Sequence, residues 1–258
     1  MLRFILLLVL CCQLLQTTAQ KKTPKQEWLY MLDNEWKATS NTKKAAYLLK
    51  QVQENDSLFV WYTYNVFGPL ISIESFKDKA GNTAHGKFVF FNYKGTRDSM
   101  MYFKEGLADG DAYYFNDTGR VVLKKKYAAG RLMITEDIVK KDSIRMARKD
   151  NADTAVFSKV EVESEFPGGV RGWIQYLQKN LRYPDRAINS RIQGTVRIQF
   201  IVDKEGNIEE IEIVKSVEFT IDEEAMRLIR KSPQWTPAVQ DGRKVKSYKI
   251  QPITFRLQ

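Results

Sequence analysis

The feature that most constrains this chain is a glycine rhythm. Gly86, Gly95 and Gly106 recur as Gly110, Gly119 and Gly130, each 24 residues further on. The side chains keep the same offset: Phe90, Phe91 and Asn92 return as Tyr114, Phe115 and Asn116, and Phe103 as Tyr127. A weaker earlier copy puts Gly68 and Phe76 where Gly95 and Phe103 stand, 27 residues before them, with an insertion over residues 80–84. A fixed period of this length marks stacked supersecondary units, none of which buries enough surface alone. Each unit reads as two strands about a turn. The first runs over 87–93 and 98–103 around Lys94 and Gly95, and its successor turns at Asp117, Thr118 and Gly119. Glycine supplies the positive φ that a tight hairpin requires. Residues 58–132 are therefore expected to form an antiparallel β-hairpin repeat module.

The apolar run over residues 4–15 follows Arg3 and is too short for the roughly 20 residues that span a bilayer. With Thr17, Thr18 and Ala19 after it, residues 1–20 read as a secretory signal peptide, the alternative being a short uncleaved anchor. Both cysteines, Cys11 and Cys12, lie inside this segment, so an exported form would carry no thiol. His85 is the one histidine and is placed in a turn entering the repeat. Imidazole-cluster metal sites and cysteine nucleophiles are excluded, and no catalytic, cofactor-binding or metal-binding residues are expected. The chain is expected not to be an enzyme. The net charge is +10, and residues 120–149 hold ten Lys or Arg against three Asp or Glu. Such a surplus is read first as a solvated linker with exposed strand faces, and second as attraction to an anionic envelope surface. Nucleic acid is not an expected partner.

Residues 21–57 are expected to be an N-terminal segment with one short amphipathic helix, because Ala45, Leu48, Leu49 and Val52 share a helical face. Residues 133–159 read as a basic linker. Extended, residues 134–157 would reach on the order of 80 Å and would leave the terminal domain considerable freedom.

Residues 160–258 are expected to be an α+β unit, a small two-layer domain of helices on a three-stranded antiparallel sheet. Phe166, Pro167, Gly168 and Gly169 enter a helix whose buried face carries Val170, Trp173, Ile174, Leu177 and Leu181. Tyr183 and Pro184 end that helix. Val196, Ile198, Phe200 and Val202 alternate along a strand, Gly206 marks a hairpin, and Ile211 and Ile213 lie on the return. Thr220 and Glu223 have capping-box spacing, and Asp222, Glu223 and Glu224 crowd the positive helix end, which favours capping over acid chemistry or calcium. In the last strand Tyr248 and Ile250 share one parity while Ile253, Phe255 and Leu257 share the other, with a change of phase at Pro252. Proline belongs on an edge or at a bulge. An edge strand is either guarded, here by Lys246, Lys249 and Arg256, or used to pair with a partner.

Many of these motifs, in order, resemble the TonB C-terminal domain family. They are Tyr183-Pro184, the strand from Gly194 to Asp203 with Gly206, Val214-Lys-Ser216, Asp222-Glu-Glu-Ala225, Pro233-Gln-Trp235-Thr-Pro237, Gly242-Arg-Lys-Val245 and Pro252-Ile-Thr-Phe255. Ala238 departs from the glycine common there. The repeats over 59–132 resemble MORN-type and YwqK antitoxin-like repeats. The first resemblance implies a periplasmic domain that receives the TonB box of outer-membrane transporters by strand addition, supporting energy-dependent transport, with an inner-membrane proton-channel complex as a further partner. By position it assigns partner binding to Asn180, Leu181, Arg182, Tyr183, Ser247, Tyr248, Lys249, Ile250 and Gln251. Replacing Lys249 by proline is then expected to abolish peptide binding. The alternative is a soluble periplasmic interaction module that uses its β-repeats for recognition without transducing energy. The spacer departs from the pattern of a complete energy transducer, which needs a membrane anchor and usually a long proline-rich spacer, whereas this chain has seven prolines, no proline run and the repeat module in the spacer position.

Overall fold

The computed structural model describes residues 25–138, 156–157 and 160–257. The apolar run at residues 4–15 and most of the expected linker lie outside them. Among the described residues no helix is long and apolar enough to cross a membrane.

The first half is an antiparallel meander of ten strands: β1 (Gln26–Leu32), β2 (Tyr47–Asn55), β3 (Leu58–Asn65), β4 (Leu70–Phe76), β5 (Gly86–Phe91), β6 (Arg97–Lys104), β7 (Leu107–Ala108), β8 (Gly110–Phe115), β9 (Val121–Ala128) and β10 (Arg131–Asp137). Neighbours in sequence pair in order, with β7 attached to β6. The hairpins form where the glycine rhythm puts them, and the six repeat glycines all take positive φ. Asparagine completes each turn. The Asn92 side chain accepts from the N–H groups of Lys94 and Thr96, and Asn116 does the same for Thr118 and Arg120.

The expected helix near residues 43–52 is a strand. β2 is covered on both faces, so apolar residues fall at adjacent positions and imitate a helical stripe. Leu48 faces the second half of the molecule, while Gln51 on the other face bonds the carbonyl of Lys79. The meander thus begins at Gln26, well before the glycine signature. Its first hairpin uses an Asp33 turn of the same kind, with Trp36 rather than glycine at positive φ.

The second half contains β11 (Val156–Phe157), α1 (Gly169–Asn180), α2 (Asp185–Asn189), β12 (Gly194–Val202), β13 (Ile208–Lys215), α3 (Phe219–Arg230), β14 (Ala238–Gln240) and β15 (Arg243–Phe255). Its sheet has five strands rather than three. The path is β11-β15-β12-β13, with β11 parallel to β15 and β14 folded back on the start of β15. Val196, Ile198, Phe200, Val202, Ile253 and Phe255 meet Ile221, Ala225, Leu228 and Ile229 in a fully buried core.

Two helical details differ from expectation. On α1, Trp173 is buried but Val170 and Ile174 are exposed, because Trp173 and Tyr176 turn toward Phe166 and an aromatic cluster with Trp235 sets the helix rotation. On α3 the cap is Glu218, whose carboxylate accepts from the N–H groups of Thr220 and Ile221, so Thr220 lies inside the helix.

The two halves share one core. Leu48, Tyr64, Leu70, Val89 and Phe91 of the meander join Ile213 and Met226 in a single buried cluster. The β5–β6 turn meets the end of β13: Ser216 donates its N–H to the Gly95 carbonyl at 2.8 Å, and Thr96 bridges Lys215. Ser216 Oγ accepts from Leu70 N–H at 2.8 Å and donates to Asp222. Lys50 pairs with Glu223, and Lys87 and Arg97 with Glu212. The freely tethered terminal domain expected from the linker is therefore replaced by a docked one, since removing that apolar surface from water outweighs the reach of the connecting chain.

Candidate partner-binding edge and cleft

β15 pairs with β12 in one unbroken register, from Gly194 opposite Phe255 to Val202 opposite Ser247. No change of phase occurs at Pro252. Val245, Ser247, Ile253 and Phe255 point inward, while Tyr248, Ile250 and Pro252 point outward and are exposed. The apolar outward residues looked like a phase change because a second sheet stands over that face.

Pro252 fixes the hydrogen-bond parity. It has no N–H, so its pair with Arg197 is a non-hydrogen-bonded one, and residues at even positions turn their N–H and C=O groups away from β12. Tyr248 and Ile250 therefore aim both backbone groups at the outer flank. Lys249 and Gln251 aim theirs at β12, so proline at Lys249 would break the native ladder rather than test the edge. Upstream the flank is occupied by the chain itself: Val156 and Phe157 pair with Lys246 and Ser247. Ser247 is also buried, 3.4 Å from Ser164 Oγ. Beyond Ser247, among the described residues, no strand pairs with this flank.

The other predicted segment is engaged internally. The Asn180 carbonyl accepts from Arg227 at 2.7 Å, Leu181 N–H closes the helix on Leu177, and Arg182 N–H donates to Glu224 at 2.8 Å. Tyr183 donates its hydroxyl to the Ile192 carbonyl at 2.7 Å and sets its ring edge-on to Phe255 at 5.6 Å. This places Tyr183 four residues along β15 from Gln251, so the two segments do not converge on one cluster.

The acidic group at the start of α3 divides into separate tasks. Glu218 caps the helix and pairs with Arg186 at 2.8 Å, Glu223 reaches Lys50, and Glu224 holds Arg227. Asp222 is fully buried where the two halves meet, accepting from Ser216 Oγ and the Val217 N–H. Burial pushes its carboxyl up to about 7, against the opposing effect of these hydrogen bonds.

Sequence reasoning missed a cleft of about 880 Å³ between the outward face of β15 and the late strands of the meander. Tyr248 and Ile250 form one wall, and Arg97, Tyr102, Tyr113 and Phe115 the other. The Arg97 guanidinium lies 4.3 Å from the Phe115 ring centre and 3.6 Å from Glu212, and among the described residues its Nε has no hydrogen-bond partner. Burial pushes this guanidinium down and the Tyr102 and Tyr248 hydroxyls up. One signal was legible: Arg97 falls where the next repeat has Val121, a charge substituted for an apolar residue at a matched position.

Residues 179–257 match the family described as Gram-negative bacterial TonB protein C-terminal. No curated protein and no solved structure matches the chain.

Proposed function

Taking residues 179–257 as a domain of the TonB C-terminal family, and so of a family of interaction and transducer domains serving energy-coupled transport across the Gram-negative envelope, we propose that β15 receives the TonB box of an outer-membrane transporter as an added strand. The observation that carries this reading is the parity set by Pro252, which directs both backbone groups of Ile250 and the carbonyl of Tyr248 at a flank that no strand pairs with among the described residues, the Tyr248 N–H being taken up by the parallel pairing of Phe157. Strand addition draws its affinity from such groups and tolerates varied side chains. In this reading Tyr248 and Ile250 are the primary contacts, and Asn180 to Tyr183 brace the far end of the strand through Phe255.

The deciding variant is Ile250→Pro. It removes one outward donor at a parity that already accommodates Pro252, so the β12 ladder is preserved. Calorimetric titration with a synthetic transporter TonB-box peptide should show binding to the parent chain and at least about tenfold weaker binding to the variant, the loss of one hydrogen bond plus the steric bar of the ring. Equal affinities in a folded variant would overturn the reading.

The docked meander favours a second reading, a periplasmic interaction module that recognises partners without transducing force. A sheet packed into the terminal core is a poor substitute for an extensible spacer. N-terminal sequencing of the protein from its native envelope separates the two: a start near Gln20 favours the module, an intact Met1 the transducer.

A further inference from the structure

The cleft beside β15 is lined from both halves of the molecule, and this deepens the strand-addition reading on which it rests. Tyr248 and Ile250 direct their side chains to the face that Arg97, Tyr102, Tyr113 and Phe115 overlook. A strand laid on the β15 flank is coplanar with β15, so every second one of its side chains emerges on that same face. Those side chains would enter the cleft, while the alternate ones would not.

The lining indicates what they should be. Its cations, Lys87, Arg97 and Lys249, are matched in number by its anions, Glu163, Glu210 and Glu212. Lys87 and Arg97 share Glu212, and Lys249 stands 3.9 Å from Glu163. A charged side chain would find no surplus of opposite charge and would lose hydration on entry. What remains are the rings of Tyr102 and Tyr248, the part of the Tyr113 ring that Lys124 does not cover, and the apolar surface of Ile250, which suit aromatic and branched aliphatic groups. We propose that the cleft is a side-chain specificity site for the added strand, in which the repeat sheet selects extended peptides carrying uncharged aromatic or branched aliphatic residues at every second position. The repeats then contribute recognition, and β15 contributes the backbone ladder.

The test uses the whole chain and three eight-residue synthetic probes with alternating positions of Thr and, respectively, Val, Phe or Asp. Fluorescence anisotropy should rank the Val and Phe probes above the Asp probe by about tenfold or more in the parent chain. In the Tyr102→Ala/Tyr113→Ala double variant that ranking should shrink to about twofold or less, with the melting transition retained. In Ile250→Pro all three probes should weaken together. Parent-like ranking in the double variant would overturn the specificity site while leaving strand addition intact. Undiminished binding in Ile250→Pro would overturn the strand-addition reading itself. If the double variant fails to fold, benzoylphenylalanine placed in turn at each position of the Val probe decides the matter: cross-links to residues 97–121 from alternate positions support the proposal, and cross-links confined to residues 243–257 overturn it.

Discussion

The two full copies of the repeat, residues 86–106 and 110–130, have nearly the same backbone and very different surroundings. Gly95 and Gly119 take φ of 74° and 81° and close the same turn, each N–H donating to the asparagine three residues earlier at 2.8 Å. A Cβ on Gly95 would run into the Ser216 carbonyl oxygen, whereas one on Gly119 meets nothing within 4 Å among the described residues. Phe88, Val89, Phe91 and Arg97 are buried in the first copy, and Ala112 alone in the second. Repetition thus sets the hairpin, and position in the stack sets its use. The first copy docks against the C-terminal half and also gives Arg97 and Tyr102 to the cleft wall, whereas the second copy contributes to that wall alone, through Tyr113 and Phe115.

The contrast is most severely tested in the shared core. Leu70 is fully buried against the other half, while Leu132, at the far end of the meander, is 52% exposed. Leu70→Ala should cost about 2–5 kcal/mol and Leu132→Ala less than about 0.5 kcal/mol in urea unfolding. Similar costs would mean that the halves do not share a core.

Next come the glycines. Gly119→Ala should lose only the strain of alanine at positive φ, about 1 kcal/mol. Gly95→Ala adds a collision with backbone that cannot yield, so its loss in the same unfolding measurement should be at least about twice as large. Equal losses would show that the first turn is no more constrained than the second.

Asp222 makes the docking sensitive to pH. Its carboxyl is at about 7 in the folded chain and near 3.8 otherwise, so the protonated form is favoured on folding. The stability it contributes is fully present below about pH 3.8 and is lost as pH rises through about 7. Asp222→Asn should flatten that part of the profile, read as the difference between melting temperatures at pH 5 and pH 8 in parent and variant. An unchanged slope would remove Asp222 as its source.

The smallest effect belongs to the contact between the copies themselves. Lys94 pairs with Asp117 at 2.8 Å across the two turns, in full solvent. Lys94→Ala should leave the melting temperature unchanged within error, since exposed pairs are screened and entropically costly. A clear loss would mean that the copies support each other directly rather than through the sheet.

The legible part of this fold is the part set by neighbours in sequence. Glycine periodicity gives the hairpins, alternation from Val196 to Val202 gives the central strand, and Pro252 marks an edge, because each reports a local backbone requirement. The motifs from Tyr183 to Phe255 lie within residues 179–257, the span that matches the TonB C-terminal family. β2 carries a helix-like apolar stripe and is nonetheless a strand, because its two-sided burial depends on a loop over one face and a domain against the other. The rotation of α1, the cap at Glu218 and the burial of Asp222 likewise depend on partners distant in sequence.

For the candidate site, the sequence by itself determined that the last strand has an edge and that a proline stands on it. Only the tertiary structure decided which backbone groups face outward, that Val156 and Phe157 occupy part of the flank, and that Tyr248 and Ile250 look across a cleft at the repeat sheet. The physical reason is that a strand's own residues fix its parity, while the surface opposite its face is supplied by chain more than a hundred residues away.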